Sequence, residues 1–275
     1  MRPETAPKTE SMVDIMQKLS DCELFLLDMD GTLYLGDEVF PGAIEFVQRI
    51  SASGKKYIYL TNNSSRAGED YIARLRKLGF PCDRENVYTS GMATAAYLNA
   101  NFPGKTVFSV GTSAFCHELE SYGVRLGEEE PSVVAVGFDR ELTYAKLEKA
   151  VRFLKKGAAF VAANPDLVCP MPGGEVLPDC GSICALLAAS TGREPVYIGK
   201  PNRDMVDIIS KEYCVPNSRI ACIGDRMYTD IAVAGNAGAV SVLVMSGETN
   251  KELLEASPYR PDYIFDSVAD IMAFI

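Results

Sequence analysis

The stretch LFLLDMDGTLYLG, residues 24–36, places two aspartates at the end of a run of apolar residues. Asp28 and Asp30 are separated by one residue, so both point to the same side of an extended chain. Carboxylates this close repel one another and ionise at low cost only beside a positive charge, such as a divalent metal ion. The pattern Asp-x-Asp-Gly-Thr arises by chance about once in 10⁵ windows, so we interpret it as a functional site rather than a solvated turn.

The composition is typical of a globular protein and disfavours several functional classes. The 275 residues are 47% hydrophobic and 23% charged, and no apolar run approaches the roughly 20 residues that a membrane span needs. The net charge of −10 disfavours binding to nucleic acid polymers and to anionic membrane surfaces. Eight cysteines lack the dense spacing of a disulfide framework, which predicts reduced thiols in a cytoplasmic protein.

The chain has one histidine, His117, which lies in the helical pattern SAFCHELESY. No nucleophile signature is nearby, so the sequence does not indicate a hydrolase of the Ser-His-Asp or Cys-His type. We expect His117 on the surface of a helix. Any chemistry would then be carried by carboxylates, hydroxyl groups and lysine.

Short β-branched and aromatic runs alternate with helical patterns, which predicts an α/β protein with a parallel sheet and crossover helices. The apolar runs LFLL, YIYL and IACI predict strands covered on both faces. A helical pattern also covers residues 11–21, with Ser11 as the N-cap. We predict strands at 24–28, 56–60, 106–110, 132–136, 158–162, 195–198, 219–223, 240–245 and 262–265. We predict helices near 41–53, 67–78, 91–99, 112–122, 143–156, 181–191, 202–213, 229–237 and 250–255.

In an open parallel sheet, ligands bind beyond the carboxyl ends of the strands. Four strand ends in the first and last thirds of the chain carry chemically useful residues, which are Asp28 and Asp30, Thr61 to Asn63, Lys200, and Asp225 with Asp230. The strand ends of the middle third are poorer in such residues. We therefore predict a core formed by residues 1–80 and 181–275, with an α/β cap domain, residues 81–180, inserted between them.

These residue types predict phosphoryl chemistry. Asp28 is placed to attack phosphorus and form an aspartyl-phosphate, which splits one hard displacement into two easier ones. Asp30 would protonate the leaving oxygen and then deprotonate the attacking water. Thr61 and the amides that follow it, at Asn62 and Asn63, would bind the phosphoryl oxygens of the substrate.

A lysine and two further aspartates complete the predicted site. Lys200, on a Gly-Lys-Pro turn, would neutralise charge on Asp28 and on the phosphoryl group. Asp225 would ligate a metal ion together with the Asp28 carboxylate and the Asp30 backbone carbonyl, and these hard oxygen ligands favour Mg²⁺ over zinc. Asp230 would either hold a metal-bound water or orient Lys200, or else cap the N-terminus of a helix.

The motifs DMDGTL, LTNNSS, IGKP and IGDRMYTD, in this order, resemble the four motifs of haloacid dehalogenase (HAD) superfamily phosphatases. The inserted segment resembles the C2-type cap of the NagD-like, or p-nitrophenyl phosphatase, subgroup. The resemblance covers residues 22–275 and implies a Rossmann-like core sheet with an inserted cap. It implies Asp28 as nucleophile, Asp30 as acid and base, Thr61 and Lys200 on the phosphoryl group, Asp225 on magnesium, and Asp230 as the second acidic position.

The resemblance implies that the substrate is a small phosphate monoester, such as a nucleotide monophosphate, a sugar phosphate, phosphoglycolate, pyridoxal phosphate or p-nitrophenyl phosphate. We expect discrimination between substrates in the cap loop NPDLVCPMPGGEVLPDCG, residues 164–181. Its candidate lining residues are Asn164, Asp166, Met171 and Gly174, each of which is equally compatible with a structural turn.

Two alternatives to a phosphatase stay open. A phosphotransferase or mutase would pass the phosphoryl group to a sugar hydroxyl instead of water. A non-catalytic, magnesium-dependent module would only bind a phosphometabolite, although the Asp28 and Asp30 pair argues against it because an acid/base group would be idle there. The sequence disfavours a carbon-halogen hydrolase, because that chemistry needs neither Asp30 nor a metal ion. An apolar face on the cap would support a homodimer.

Overall fold

The computed structural model describes residues 19–171 and 175–275. Most of the helix predicted at 11–21, with Ser11, and the cap-loop residue Gly174 lie outside the described residues. The strands are β1 (Leu24–Leu27), β2 (Tyr34–Leu35), β3 (Glu38–Val39), β4 (Lys56–Thr61), β5 (Val87–Thr89), β6 (Thr106–Val110), β7 (Arg125–Leu126), β8 (Val133–Val136), β9 (Ala159–Ala162), β10 (Val168–Pro170), β11 (Val176–Pro178), β12 (Val196–Tyr197), β13 (Ile220–Gly224), β14 (Val240–Val244) and β15 (Tyr263–Phe265). The α-helices are α1 (Ala43–Ala52), α2 (Gly68–Lys77), α3 (Ser90–Asn101), α4 (Ser113–Ser121), α5 (Tyr144–Lys155), α6 (Cys180–Thr191), α7 (Asp204–Tyr213), α8 (Ala232–Ala237), α9 (Lys251–Ala256) and α10 (Val268–Ile271).

The first sheet has six parallel strands in the order β15-β14-β13-β1-β4-β5. Its central strand β1 is buried along its whole length. Leu24 and Leu26 pack into the hydrophobic cluster on one face of the sheet, whereas Phe25 and Leu27 pack into the cluster on the other face. This alternation follows from the two-residue period of a strand, and it confirms the prediction of strands covered on both faces.

The second sheet has five parallel strands in the order β12-β9-β8-β6-β7. Strand β5 belongs to the first sheet although it follows residue 81, and β12 belongs to the second sheet although it follows residue 180. Helix α6 also packs into the hydrophobic cluster of the second sheet. Sheet membership therefore changes after Thr89 and after Tyr197, not at the predicted residues 81 and 180.

Each of the nine strands and nine helices predicted between residues 24 and 265 is present, which confirms the α/β class. The structure adds short elements that the sequence did not indicate, namely the hairpins β2–β3 and β10–β11, strands β5 and β7, and helix α10. A strand of two or three residues contains too little alternation to be recognised as a period. Within the described residues, no helix is long and apolar enough to cross a membrane.

Buried hydrogen bonds join the two sheets beside helices α2, α3 and α4. The carboxylate of Glu118 in α4 accepts from the Gly68 amide at 2.7 Å and from the Thr89 hydroxyl at 2.7 Å. Burial raises the pKa of Glu118, although both hydrogen bonds lower it. The Thr112 hydroxyl, at the start of α4, donates to the Ser65 carbonyl at 3.0 Å. Polar contacts that are buried and satisfied in this way fix the relative position of the elements they join.

Gly181, in the first turn of α6, has no room for a side chain. A Cβ atom there would lie 2.3 Å from the Pro165 carbonyl oxygen and 2.9 Å from that of Asp166, which already accepts from the Gly181 amide. Backbone atoms cannot move aside as the end of a flexible side chain can. We expect Gly181→Ala to lower the free energy of unfolding by about 1–3 kcal/mol, measured by thermal or denaturant unfolding.

The matched control is Gly235→Ala in α8, because Gly235 is exposed and a Cβ atom there would have nothing within 4 Å. We expect this variant to raise the free energy of unfolding by up to about 1 kcal/mol, since alanine favours a helix over glycine. Equal losses of stability in the two variants would contradict the steric argument.

Candidate active site

The carboxyl ends of strands from both sheets bring the predicted residues together. Asp28 directly follows β1, and its amide donates to the Ile223 carbonyl of the neighbouring strand β13 at 2.9 Å. Thr61 is the last residue of β4, and Asp225 directly follows β13. Lys200 lies three residues after β12, at the edge of the second sheet. The residues that the sequence assigned to separate loops thus converge on one site.

Lys200 lies between two carboxylates at the centre of the site. Its Nζ is 2.7 Å from Asp28 Oδ1 and 2.6 Å from Asp230 Oδ1, and the side chain is only 3% exposed. Burial by itself lowers the pKa of Lys200, but Asp230 and Asp28 outweigh it and raise the pKa above its usual range. Asp230 also accepts from the Arg226 amide through Oδ2 at 3.2 Å. Asp230 therefore contacts Lys200 through one oxygen atom. Through the other it accepts from the Arg226 amide, at the start of the helical segment Met227–Ile231.

Three carboxylates lie close to one another in the site, with the Lys200 ammonium and the Arg226 guanidinium as nearby positive charges. Asp28, Asp225 and Asp230 each offer an oxygen atom, and these three atoms lie within 4.8 Å of one another. Burial raises the pKa of Asp28 to about 8, while Lys200 lowers it and the neighbouring aspartates raise it. Burial likewise raises the pKa of Asp225 to about 6, with Asp230 adding to the rise. A hard divalent cation fits such a cluster, because its charge would favour the ionised carboxylates against both burial and their mutual repulsion.

Two glycines make room for the Asp225 carboxylate. A Cβ atom would lie 2.4 Å from Asp225 Oδ2 at Gly31, where φ is +89°, and 2.0 Å from it at Gly247. The carboxylate accepts from the Glu248 amide at 2.7 Å and from the Thr32 hydroxyl at 3.3 Å. Sequence analysis missed the segment after β14 that provides Gly247 and Glu248. The signal was a glycine just beyond the carboxyl end of β14, another strand of the first sheet.

Asp30 lies at the exposed mouth of the site, outside the group of three carboxylates. The chain turns tightly after it, because the Met29 carbonyl accepts from the Leu33 amide at 2.9 Å and the Gly31 amide donates to the Tyr34 carbonyl at 2.8 Å. Desolvation by the surrounding protein raises the pKa of Asp30, and Arg74 partly offsets the rise. A raised pKa suits a group that must donate a proton near neutral pH.

The side chains that follow β4 already have protein partners. The amide group of Asn62 pairs with the backbone of Lys200, and Asn63 Oδ1 accepts from the Ser65 amide at 2.9 Å and hydroxyl at 2.7 Å. The Thr61 hydroxyl accepts from the Asn63 amide at 3.1 Å. The prediction that Asn62 and Asn63 bind the substrate therefore depends on their backbone amides, and the amide of Asn63 also donates to the Thr61 hydroxyl.

The cap loop approaches this site through Asp166. Asn164 is fully buried and donates to Asp166 Oδ2 at 2.9 Å and to Asp179 Oδ1 at 3.1 Å, while its own oxygen accepts from the Ser64 hydroxyl at 3.1 Å. These contacts give Asn164 the structural role that the sequence left open. Met171 is half-buried, and its lining role stays a prediction.

The single histidine takes no part in this site. His117 is exposed on α4, as the helical pattern predicted. The reactive groups of the site are therefore carboxylates and an ammonium group.

Comparison with known proteins agrees with this geometry. A family model described as haloacid dehalogenase-like hydrolase matches residues 25–125, and one described as HAD-hydrolase-like matches residues 197–271. Dihydroxyacetone phosphatase of Corynebacterium glutamicum (strain R) is 36% identical over 247 residues, which are 90% of each chain. Ribonucleotide monophosphatase NagD of Escherichia coli (strain K12) is 34% identical over 90% of this chain and 96% of its own. The crystal structure of 4-nitrophenylphosphatase from Thermotoga maritima superposes with a TM-score of 0.89 at 42% identity, covering 93% of this chain and 98% of that chain.

The chain belongs to the haloacid dehalogenase-like hydrolases. Within that family, its similarity to NagD and to the p-nitrophenyl phosphatase structures confirms the subgroup that the four motifs predicted.

The raised carboxylate pKa values predict how stability depends on pH. In the unfolded chain, Asp28 and Asp225 have the ordinary pKa of 3.8. In the folded chain, the pKa of Asp28 is about 8 and the pKa of Asp225 is about 6. The folded state therefore binds more protons in this interval, so these groups lower the free energy of unfolding as the pH rises from about 4 to about 8. Mg²⁺ binds the ionised carboxylates, so we expect it to raise the melting temperature more at about pH 8 than at about pH 5.

The measurement is thermal melting in EDTA and in MgCl₂ at both pH values, with Asp28→Asn as the control. This variant removes the carboxyl group whose pKa rises to about 8, so the pH dependence that the variant loses is the contribution of Asp28. A Mg²⁺ effect of equal size at both pH values in the unaltered protein would contradict the assignment.

Proposed function

We propose that this protein is a Mg²⁺-dependent phosphatase that hydrolyses a small organic phosphate monoester through an aspartyl-phosphate on Asp28. The observation that carries the proposal is the buried Lys200 ammonium group, held by Asp28 and Asp230 beside the Asp225 carboxylate. This arrangement places a nucleophile, a cation and metal ligands at one edge of a parallel sheet. Membership of a family of hydrolases, with relatives named as phosphatases, supports the same conclusion.

The residues of the site fit Mg²⁺. The carboxylates of Asp28 and Asp225 and the backbone carbonyl of Asp30 would hold the ion, and all of these are hard oxygen ligands. When bound, the ion supplies positive charge that stabilises the phosphoryl group during transfer. A glycerol phosphate phosphatase from Mycobacterium tuberculosis, solved in complex with magnesium, is 32% identical with a TM-score of 0.83 and covers 91% of this chain and 77% of that chain.

In the first step, a carboxylate oxygen of Asp28 attacks phosphorus, and the bond between phosphorus and the ester oxygen breaks. The electron pair of that bond stays on the leaving oxygen, which takes a proton from Asp30. Lys200 favours the ionised form of Asp28, because it lowers the pKa that burial raises, and it offsets the charge of the phosphoryl group. Thr61 and the backbone amides of Asn62 and Asn63 would hold the phosphoryl oxygens in line, and phosphoryl transfer depends mainly on such positioning and charge stabilisation.

In the second step, Asp30 is ionised and accepts a proton from water as the water oxygen attacks phosphorus. The bond between phosphorus and the Asp28 oxygen breaks, so the Asp28 carboxylate is restored and inorganic phosphate leaves. Asp30 would serve both steps because its side chain is exposed, so that both the leaving group and water can reach it.

The relatives are named for different small phosphates. They include a dihydroxyacetone phosphatase, a 5'-nucleotidase, an acid sugar phosphatase and phosphoglycolate phosphatases, at 30–36% identity. These substrates share the phosphate monoester, which is the part that the described site would bind. We therefore define the substrate of this protein by that group.

Hydrolysis is favoured over transfer to a sugar hydroxyl and over mere binding, because the relatives are named as phosphatases. Product analysis in the presence of an acceptor alcohol distinguishes hydrolysis from phosphoryl transfer. A phosphatase releases inorganic phosphate in proportion to substrate consumed, whereas a phosphotransferase also produces the phosphorylated alcohol.

We further propose a reducing location such as the cytoplasm, without binding to nucleic acid polymers. The support for this location is a set of free thiols among the described residues, namely Cys82, Cys116, Cys180, Cys184, Cys214 and Cys222. The net charge of −10 supports the exclusion of nucleic acid. Association into a homodimer stays a prediction, which size-exclusion chromatography with light scattering would test.

We expect Asp28→Asn to lower kcat for p-nitrophenyl phosphate by about 10³-fold or more, because the amide cannot act as the nucleophile. EDTA should cause a comparable loss in the unaltered protein that excess Mg²⁺ reverses. The control is Asp266→Asn, which removes an exposed carboxylate far along the chain from the motifs and should leave kcat unchanged. Full activity in Asp28→Asn would refute the nucleophile assignment.

We expect Asp30→Asn to separate the two steps. p-Nitrophenolate leaves without help from an acid, so the first step should remain fast while the second slows. A rapid burst of about one equivalent of p-nitrophenol should then precede slow turnover, with a base-labile phosphate label on the protein. Stopped-flow absorbance and ³²P labelling measure both, and absence of burst and label would count against the covalent intermediate.

A further inference from the structure

We propose that Asn62 is a positioning residue that holds the backbone of Lys200 in place, and that Asp166 of the cap loop fixes the orientation of Asn62. We call this chain of contacts, Asp166 to Asn62 to Lys200, the clasp. The inference rests on the proposed function, because the position of Lys200 affects the rate only if Asp28 is the nucleophile.

The Asn62 side chain binds both polar backbone groups of one residue. Its Oδ1 accepts from the Lys200 amide at 2.8 Å, and its Nδ2 donates to the Lys200 carbonyl at 2.8 Å. A side-chain amide matches this donor and acceptor pair, whereas a carboxylate or a hydroxyl cannot satisfy both groups in the same way. Two bonds to one residue fix its orientation as well as its position, and thereby the direction in which Nζ points.

The neighbouring residue makes this approach possible. A Cβ atom on Gly199 would lie 2.6 Å from Asn62 Oδ1 and 2.6 Å from the Ala163 carbonyl oxygen. Only glycine at position 199 lets Asn62 and the second sheet both come so close to the chain that leads into Lys200.

The segment that carries Lys200 belongs to the second sheet. Asp28, which its Nζ contacts, follows strand β1 of the first sheet. The Ile198 amide donates to the Ala162 carbonyl at 3.0 Å, and the Gly199 amide donates to the Ala163 carbonyl at 2.8 Å, which continues the pairing of β12 with β9. A shift of one sheet against the other would therefore move Nζ relative to Asp28. Asn62, one residue past the end of β4 in the first sheet, is placed to prevent this.

Asp166 determines which way the Asn62 amide faces. Its Oδ2 accepts from Asn62 Nδ2 at 3.0 Å and from Asn164 Nδ2 at 2.9 Å, so the side with the nitrogen must face the cap loop and the Lys200 carbonyl. The Ser90 hydroxyl holds the Asn62 backbone by donating to its carbonyl at 2.6 Å. The clasp therefore links the cap loop to the partner of the nucleophile through hydrogen bonds at every step.

The experiment compares variants by kcat and KM with p-nitrophenyl phosphate and with acetyl phosphate, and by inhibition with inorganic phosphate. Asn62→Ala removes both bonds to Lys200, so we expect kcat to fall on the order of 10²-fold for both substrates, as a misplaced catalytic group does. Phosphate should also bind more weakly, because it contacts the same cation.

Two substitutions of Asp166 separate the clasp from direct contact with the leaving group. Asp166→Leu removes the acceptor for Asn62, and we expect a loss of about tenfold in kcat that is equal for both substrates. Asp166→Asn keeps an acceptor oxygen and should retain activity within about threefold. In the double variant Asn62→Ala with Asp166→Leu, activity should be no lower than in Asn62→Ala alone, because Asp166 acts through Asn62.

The matched control is Thr112→Val, which removes another hydrogen bond between the two sheets, to the Ser65 carbonyl, without reaching Lys200. Its melting temperature should fall while kcat stays within about threefold of the unaltered protein. Melting of every variant shows whether it is folded.

The clasp is overturned if Asn62→Ala keeps kcat within about threefold, if Thr112→Val loses as much activity as Asn62→Ala, or if the loss in Asp166→Leu depends on the leaving group. Failure of the proposed function gives a different result. In that case the unaltered protein does not turn over p-nitrophenyl phosphate, or Asp28→Asn remains active, whatever the Asn62 variants do.

Discussion

The buried contact of the Lys200 ammonium group with two carboxylates is the interaction on which the site depends. Moving each of these ions out of water costs several kcal/mol, and the cost is offset only by close, well-oriented partners. Nζ distances of 2.7 Å to Asp28 and 2.6 Å to Asp230 are those of strong charge-assisted hydrogen bonds. The third carboxylate, Asp225, adds a negative charge beside this pair, and such a group of hard oxygen atoms suits a divalent cation.

Close approach of backbones allows these charges to meet. Gly31 and Gly247 lie against the Asp225 carboxylate, and Gly199 lies against Asn62, so a Cβ atom at any of the three would overlap an oxygen atom. A crowded group of acids at the end of a parallel sheet is therefore possible only where adjoining loops lack side chains. The same loops provide the amide donors that hold the carboxylates, as Glu248 does for Asp225.

The site contains residues from both sheets. The second sheet contributes Lys200, and the first sheet contributes the carboxylates. Strand β12 leads into Lys200 and pairs with β9, while the partners of the lysine follow strands β1 and β13 of the first sheet. Buried contacts such as that between Glu118 and Thr89 hold the two sheets together elsewhere. The distance between Asp28 and Lys200 thus depends on how the sheets pack, and not on either sheet alone.

The sequence by itself determined the α/β class, the long strands and helices, and the residue types of the site, because periodicity and the strand-end rule for parallel sheets are local signals. It did not determine that β5 and β12 lie in the sheets opposite to those expected, since the choice of a neighbouring strand depends on contacts between segments that are distant in sequence. Only the tertiary structure decided the pairing of Asn62 with Lys200, 138 residues away along the chain, and the hydrogen bond from the Glu248 amide to Asp225. Contacts so distant leave no pattern in the sequence, because they arise when separate strand ends are packed side by side.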